Sequence, residues 1–124
     1  MPSHRAQPEP IYALGLLRVR QKQYQEALGL LAMAASLQPS NVQYSYVYAV
    51  ALNSSGQSRQ AIALLEQAHQ RRPADRQALT GLIVFERDKG NLFAAMAYAE
   101  QLVQLMPDDP NARAMLAQLQ GQQH

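Results

Sequence analysis

Apolar and polar residues alternate along this chain with the period of an α-helix, in segments separated by short polar turns. Within a segment, apolar side chains recur three and four positions apart, which places them on one side of a helix. Prolines close three of the segments at a constant spacing of 34 residues, from Pro39 to Pro73 and from Pro73 to Pro107. A proline removes a backbone donor and stops a helix, so the chain turns there. The pattern predicts six helices, over residues 9–21, 24–37, 42–54, 58–71, 76–89 and 92–105.

When the three segments are aligned on these prolines, equivalent positions, called columns below, hold similar residues. Alanine stands twelve residues before each proline, as Ala27, Ala61 and Ala95. A small side chain lets a second helix approach closely, so this column predicts a helix crossing in each segment. Other columns are apolar, small or typical of turns: Leu14, Tyr48 and Leu82; Leu31, Leu65 and Ala99; Ala34, Ala68 and Leu102; Lys22, Gly56 and Gly90. Three segments in phase predict three helical hairpins.

One segment contradicts a helix when it is considered alone. Residues 44–50, Tyr-Ser-Tyr-Val-Tyr-Ala-Val, alternate in polarity and are rich in residues that favour strands. Tertiary context overrides local propensity, and the phase of the repeat predicts a helix here.

A seventh helix is predicted over residues 110–120. Asp109 can cap its start, and Pro110 suits its first position. Apolar residues lie on one side of it and polar residues on the other, so we expect it to cover the end of the third hairpin. The first hairpin has no such cover, and its apolar surface is predicted to be exposed or to pack on something outside the chain.

Composition and charge exclude several classes of function. The chain has 124 residues, of which 48% are hydrophobic and 16% charged, with a formal net charge of +2. That charge is too small for a nucleic-acid-binding protein. Cysteine is absent, which excludes disulfides, zinc–thiolate sites and thiol catalysis. No apolar run is long enough to insert into a membrane.

Candidate catalytic and metal-binding residues are few. Of the three histidines, His4 and His124 lie in the predicted arm and tail, and His69 has a single carboxylate nearby in sequence, Glu66. A metal site needs three or four ligands, and neither Ser54 nor Ser55 has a histidine in helical reach. We therefore expect no metal, no cofactor and no enzymatic activity.

These columns resemble the tetratricopeptide repeat family, whose unit is a helical hairpin of 34 residues. The resemblance implies an all-α, right-handed superhelical stack of three helix-turn-helix repeats, an α-solenoid, with a seventh capping helix. The boundaries it implies are an arm or linker at 1–8, a repeat domain at 9–120 with repeats of about 8–41, 42–75 and 76–109 and the cap at 110–120, and a disordered tail at 121–124.

In that family, the first helices of the hairpins line a concave groove that binds peptides. The resemblance places these residues in the groove: Tyr12, Leu16, Arg20, Tyr46, Val50, Asn53, Thr80, Val84 and Arg87. The same columns also contain Glu9, Val19, Gln43, Ser54, Gln77 and Asp88. One subgroup holds carboxyl termini with a clamp of cationic and amide side chains. The clamp positions here are Tyr12, Leu16, Val47, Gln77 and Gly81, and none is cationic.

The sequence thus predicts a protein-interaction module, a scaffold or adaptor, that binds an apolar or amphipathic peptide segment of unknown identity. Packing of the same residues on one another, or of the proline-rich arm over them, is an equally open interpretation. The alternative function is assembly, as a homodimer through the first hairpin or the groove, or by packing on another domain of a larger bacterial envelope, secretion or respiratory protein. The compartment is unknown: the cytoplasm is the default without a signal peptide, and the periplasm fits if the chain is a fragment.

Overall fold

Seven α-helices and no strand make up residues 7–122, the part of the chain that this computed structural model describes. They are α1 (Pro8–Arg20), α2 (Tyr24–Leu37), α3 (Val42–Ser54), α4 (Ser58–Arg71), α5 (Arg76–Asp88), α6 (Leu92–Leu105) and α7 (Pro110–Gly121). Helices α1–α2, α3–α4 and α5–α6 form three hairpins, and each hairpin packs on the next. The predicted α-solenoid of three hairpins with a seventh helix is confirmed.

Most of the predicted arm and part of the predicted tail lie outside the described residues. Where the arm and the tail meet the repeat domain, the structure differs from the prediction. Pro8 is already the first residue of α1, and Gly121 is the last residue of α7. Proline suits the first helical turn, where its missing N–H has no partner to lose.

Three helices begin at a side-chain cap placed two residues after a repeat proline. Asn41 Oδ1 accepts a backbone N–H of the first turn of α3 at 3.1 Å. Asp75 and Asp109 do the same for α5 and α7, at 2.8 and 2.9 Å. Each cap supplies a partner to an N–H that the helix itself leaves unpaired. The column of Asn41, Asp75 and Asp109 therefore starts the helix that follows each proline.

The turns inside the hairpins need a left-handed backbone. Lys22, Gly56 and Gly90 have φ angles of 61°, 83° and 87°. Glycine adopts this conformation without steric cost, whereas lysine places its Cβ against the following carbonyl. Of these three turn residues, Lys22 in the first hairpin is therefore the strained one.

The alanine column lies where each pair of helices crosses. Ala27, Ala61 and Ala95 are fully buried, as are Leu31 and Leu65 beside them. Such small residues bring the two helix axes close together. The crossing of α1 with α2 is so tight that a Cβ built on Gly15 would lie 2.8 Å from Leu31 Cδ2.

The segment with strand-like composition, residues 44–50, lies within α3. Tyr44, Ser45 and Ala49 are buried there. The Tyr44 ring packs on the Tyr12 ring, with centroids 4.4 Å apart. Burial at helical spacing outweighs the strand preference of these residue types, as the repeat phase predicts.

Helix α7 closes the end of the third hairpin. Its Ala112 and Leu119 are buried in one cluster with Leu79, Ile83 and Met96. Its opposite side carries exposed polar residues, among them Arg113 and Gln118. No helix among the described residues is both long and apolar enough to cross a membrane.

Candidate functional site

Helices α1, α3 and α5, the first helices of the three hairpins, lie side by side and form one surface, called the inner face below. All nine residues that the sequence placed in the groove lie on these helices. One hydrogen bond and one ring contact join α1 to α3, and α3 packs directly on α5. The inner face is therefore a continuous surface rather than three separate helices.

A chain of uncharged polar groups crosses the inner face near the starts of its helices. Gln77 Nε2 donates to Gln43 Oε1 at 2.7 Å, and Gln43 Nε2 donates to the Tyr12 hydroxyl at 3.2 Å. The two glutamines occupy the same column of the repeat. All three side chains retain donor or acceptor capacity beyond these bonds.

Three of the five predicted apolar groove residues belong partly to the core. Tyr12 packs against the cluster that contains Tyr44, and Tyr46 and Val84 pack against the cluster of the second and third hairpins. The Tyr46 ring also lies over Gly81, where an added Cβ would be 3.3 Å from its Cε1. The self-packing interpretation thus applies to these three residues in part, because each is half-buried rather than fully covered.

The other two predicted apolar residues, Leu16 and Val50, line an open apolar cavity of about 100 Å³ between α1 and α3. Val50 is 38% exposed, so the cavity communicates with solvent. The wall residues are Leu16, Val19, Tyr24, Val47, Val50, Ala51 and Ser54. Only Tyr24 and Ser54 bring polar side-chain atoms to this wall, so the cavity suits an apolar group.

Polar residues predicted for the groove are mostly engaged in local contacts. Asn53 Oδ1 accepts from the Ser58 hydroxyl at 2.9 Å, and the Thr80 hydroxyl donates to the Arg76 carbonyl at 2.8 Å. Arg87 lies 3.4 Å from the carboxylate of its neighbour Asp88. Arg20 is exposed at the end of α1. None of these four residues lines the apolar cavity between α1 and α3.

Tyr24 and Ala51 line the cavity although the sequence did not predict them for the groove. Tyr24 is the first residue of α2, and the family resemblance directs attention to first helices only. An aromatic residue at a helix start, followed three positions later by the buried alanine column, is a signal that could have found it. Ala51 lies directly after Val50 and follows from the geometry of α3.

Arginines at the end of α4 hold the preceding turn. Arg71 Nη1 donates to the Pro39 carbonyl at 2.8 Å, and Arg72 Nε donates to the Ser40 carbonyl at 2.9 Å. These bonds join the second hairpin to the turn between the first and second repeats. Both guanidinium groups thus have a structural partner within the chain.

On α4 and α6, the second helices of their hairpins, polar pairs link neighbouring repeats. The Tyr98 hydroxyl donates to Glu66 Oε2 at 3.1 Å, and His69 Nε2 lies 2.9 Å from Gln101 Oε1. Burial, followed by the Glu66 carboxylate, raises the pKa of Tyr98 to about 12. In residues 7–122, no three histidine or acidic side chains come together as a metal site would require.

Comparison with known proteins places the chain among helical repeats. A family model described as tetratricopeptide repeat matches residues 18–83, more than half of the chain. No curated protein matches its sequence. Similar solved structures include the Sgt2 tetratricopeptide repeat domain of Aspergillus fumigatus, with a TM-score of 0.79 and 21% identity over 93% of this chain and 78% of that one.

Two further similar structures contain a bound peptide. The type III secretion chaperone SycD of Yersinia enterocolitica, in complex with a peptide of the translocator YopD, has a TM-score of 0.79 and 15% identity, over 94% of each chain. The first tetratricopeptide repeat domain of Spaghetti, bound to the HSP90 peptide SRMEEVD, has a TM-score of 0.78 and 17% identity, over 92% of this chain and 90% of that one. At such identities the likeness concerns the fold.

Proposed function

This chain belongs to the tetratricopeptide repeat family, and we propose that it is a non-catalytic scaffold that binds an apolar or amphipathic peptide segment on its inner face. One observation carries the proposal, namely the open apolar cavity between α1 and α3 with Leu16 and Val50 in its wall. Apolar surface open to solvent, with polar groups beside it, is typical of a site for a protein partner.

The cavity's size suggests what enters it. Its volume of about 100 Å³ is smaller than the roughly 150 Å³ of an engineered apolar cavity that binds benzene. We therefore expect one aliphatic side chain of the peptide to enter it. The amides of Gln43 and Gln77, with the Tyr12 hydroxyl, can then bind the peptide backbone, because uncharged donors and acceptors suit the amide groups of an extended or helical segment.

Recognition of an acidic carboxyl terminus is not part of the proposal. Uncharged side chains occupy all the clamp positions: Tyr12, Leu16, Val47, Gln77 and Gly81. The peptide bound by Spaghetti, SRMEEVD, carries two glutamates and an aspartate near its end. Without cations to meet such charges, the inner face would leave them desolvated and unpaired. We expect this chain to prefer apolar peptides to acidic ones.

Selection from a random peptide library tests the proposal with the wild-type chain as bait. We expect the enriched peptides to share an aliphatic residue, and a synthetic copy of one of them to serve as the probe. Val50→Glu puts a carboxylate at the cavity mouth, so its affinity for that peptide should fall by roughly tenfold or more, or about 1.4 kcal/mol. Calorimetry or fluorescence polarisation measures the change.

Phe93→Glu is the matched control, since Phe93 is an exposed apolar residue on α6 that does not line the cavity. It should bind the probe as tightly as wild type. Equal loss in both variants, no effect of Val50→Glu, or enrichment of peptides with acidic carboxyl termini would each refute the proposal. Tyr46 is a poor site for this test because its ring belongs partly to the core.

A second candidate function is assembly. The exposed apolar side chains of the first hairpin favour it, and they lie away from the inner-face cavity.

A further inference from the structure

The outward side of the first hairpin carries five apolar residues, called the end face below: Leu14, Leu17, Leu30, Met33 and Leu37. Leu14 and Leu17 on α1, with Met33 and Leu37 on α2, are between 39% and 47% exposed. The residues in the columns of Leu14 and Leu17 in the third repeat are Leu82 and Phe85, which are 0% and 4% exposed. The preceding hairpin covers them there. The end face is thus an inter-repeat surface that nothing in residues 7–122 covers.

On its α2 side, the end face is also more apolar than the inner junctions, which are the contacts between successive hairpins inside the stack. Met33 stands in the column of Gln67 and Gln101, and Leu37 in the column of Arg71 and Leu105. At the inner junctions these columns make polar contacts, Gln101 with His69 and Arg71 with the Pro39 carbonyl. The first repeat replaces such polar groups with a methionine and a leucine. Another ordinary repeat stacked here would find no polar partner, so the end face suits an apolar surface.

The opposite end of the stack does not offer that surface. The outward side of α7 exposes Arg113, Gln118 and Gln120. Stacking one copy's α7 on another copy's end face would bury these polar groups against leucine and methionine, which is unfavourable without hydrogen-bond partners. Head-to-tail association is therefore disfavoured. Of the two ends of the stack in residues 7–122, the one that matches the end face in chemistry is the end face of a second copy.

The charges and the shape of the end face are compatible with pairing to the end face of a second copy. Arg18 and Glu26 border the end face, and Arg18 Nε lies 2.7 Å from Glu26 Oε2, so the charges balance locally. A two-fold axis can bring Arg18 of one copy towards Glu26 of the other without forcing like charges together. A groove of about 400 Å³ runs between α1 and α2, and Gly29 lies in its wall with open space beside it. Side chains of a second copy have room to enter it.

We propose that the end face is the interface of a two-fold symmetric homodimer in which Leu14, Leu17, Met33 and Leu37 of each copy pack together. This interface uses the side of α1 and α2 that faces away from the second hairpin, and it leaves the inner-face cavity open. Dimerisation and peptide binding are thus separate properties of the chain. One can fail while the other holds.

Light scattering on the full chain, over a concentration series from micromolar to millimolar, tests the dimer. We expect the molar mass to approach twice 13.8 kDa at high concentration. Gly29→Glu should reduce it to 13.8 kDa, because it puts a charged side chain in the groove, whereas nothing lies within 4 Å to obstruct it in a single copy. Ala97→Glu is the control, since Ala97 is exposed in the same column of α6.

A second variant tests the same interface in case Gly29→Glu does not fold. Met33→Gln with Leu37→Arg gives the first repeat the residues that the second repeat has in those columns, Gln67 and Arg71. It should be helical by circular dichroism and monomeric. A wild-type chain that stays at 13.8 kDa at every concentration overturns the proposal, as do variants that remain dimeric or an equal loss in Ala97→Glu. Val50→Glu should lose the peptide and remain a dimer, which separates the two proposals.

Discussion

Gly81 of α5 and Leu65 of α4 approach so closely that a Cβ built on Gly81 would lie 2.5 Å from Leu65 Cδ1. Leu65 is fully buried beside the alanine column, and the Tyr46 ring closes the other side. The displaced atom is the end of a side chain, but the packed core around it leaves little room for a new rotamer. The junction between the second and third repeats thus depends on the missing side chain at position 81.

Gly81→Ala should therefore destabilise the chain although alanine favours helices. Overpacking costs about 1–3 kcal/mol and the gain in helix propensity returns about 1, so we expect a net loss of up to about 2 kcal/mol in the free energy of unfolding. Gly29→Ala is the matched control, because Gly29 is also helical but has nothing within 4 Å. It should gain up to about 1 kcal/mol. Urea denaturation measures both, and the same sign for the two changes would contradict this account.

The helices were predictable because each repeat column has a single physical requirement. Ala61 of α4 must be small at a crossing, and Leu65 must fill the space beside it. These requirements fix the phase of the repeat, and the phase then locates α3 even though residues 44–50 favour a strand. A crossing as tight as that at Gly81 was not predictable, since the sequence gives the column but not the distance between neighbouring helices.

For the candidate site, the sequence predicted which helices form it but not which of their side chains are accessible. Family resemblance selected α1, α3 and α5, but the lateral offset of these helices decides which side chains are covered. That offset places Val84 partly in the core and leaves Val50 at an open cavity. It also brings Gln43 within reach of the Tyr12 hydroxyl, and Tyr24 of α2 to the cavity wall. Sequence spacing alone does not give the lateral offset between helices of different repeats.

Relief of the strained turn in the first hairpin should stabilise the chain. Lys22 has a φ of 61°, where the other two repeats have glycine. A left-handed residue other than glycine costs about 1–2 kcal/mol, and the added freedom of glycine in the unfolded chain costs about 0.5–1, so Lys22→Gly should gain roughly 0.5–1 kcal/mol. Gln21→Gly is the control, since Gln21 has a φ of −82° and should lose stability. A loss in both variants would show that the turn is not strained.

Stability at high pH should depend on Tyr98. Its pKa is raised from 10.0 to about 12, by burial first and then by Glu66. Because the folded state holds the proton more tightly than the unfolded chain, the contribution is complete below pH 10 and is lost as the pH rises towards 12. The free energy of unfolding of wild type should fall across that range more steeply than that of Tyr98→Phe. Tyr24→Phe, at an exposed tyrosine, should follow wild type, and identical slopes in all three chains would contradict the prediction.

The capping helix should depend on its own cap. Asp109 Oδ1 accepts the Asn111 backbone N–H at 2.9 Å, so Asp109→Ala leaves that group to water and should cost about 1 kcal/mol. Because α7 packs mainly on one neighbour, α6, the loss should appear first as local opening, with faster amide exchange at Leu116 than in α3 or α4. Asp108→Ala changes an exposed neighbour that is not the cap, and it should leave the exchange rates of α7 unchanged. If both changes open α7 equally, its start is held by packing on α6 rather than by the cap.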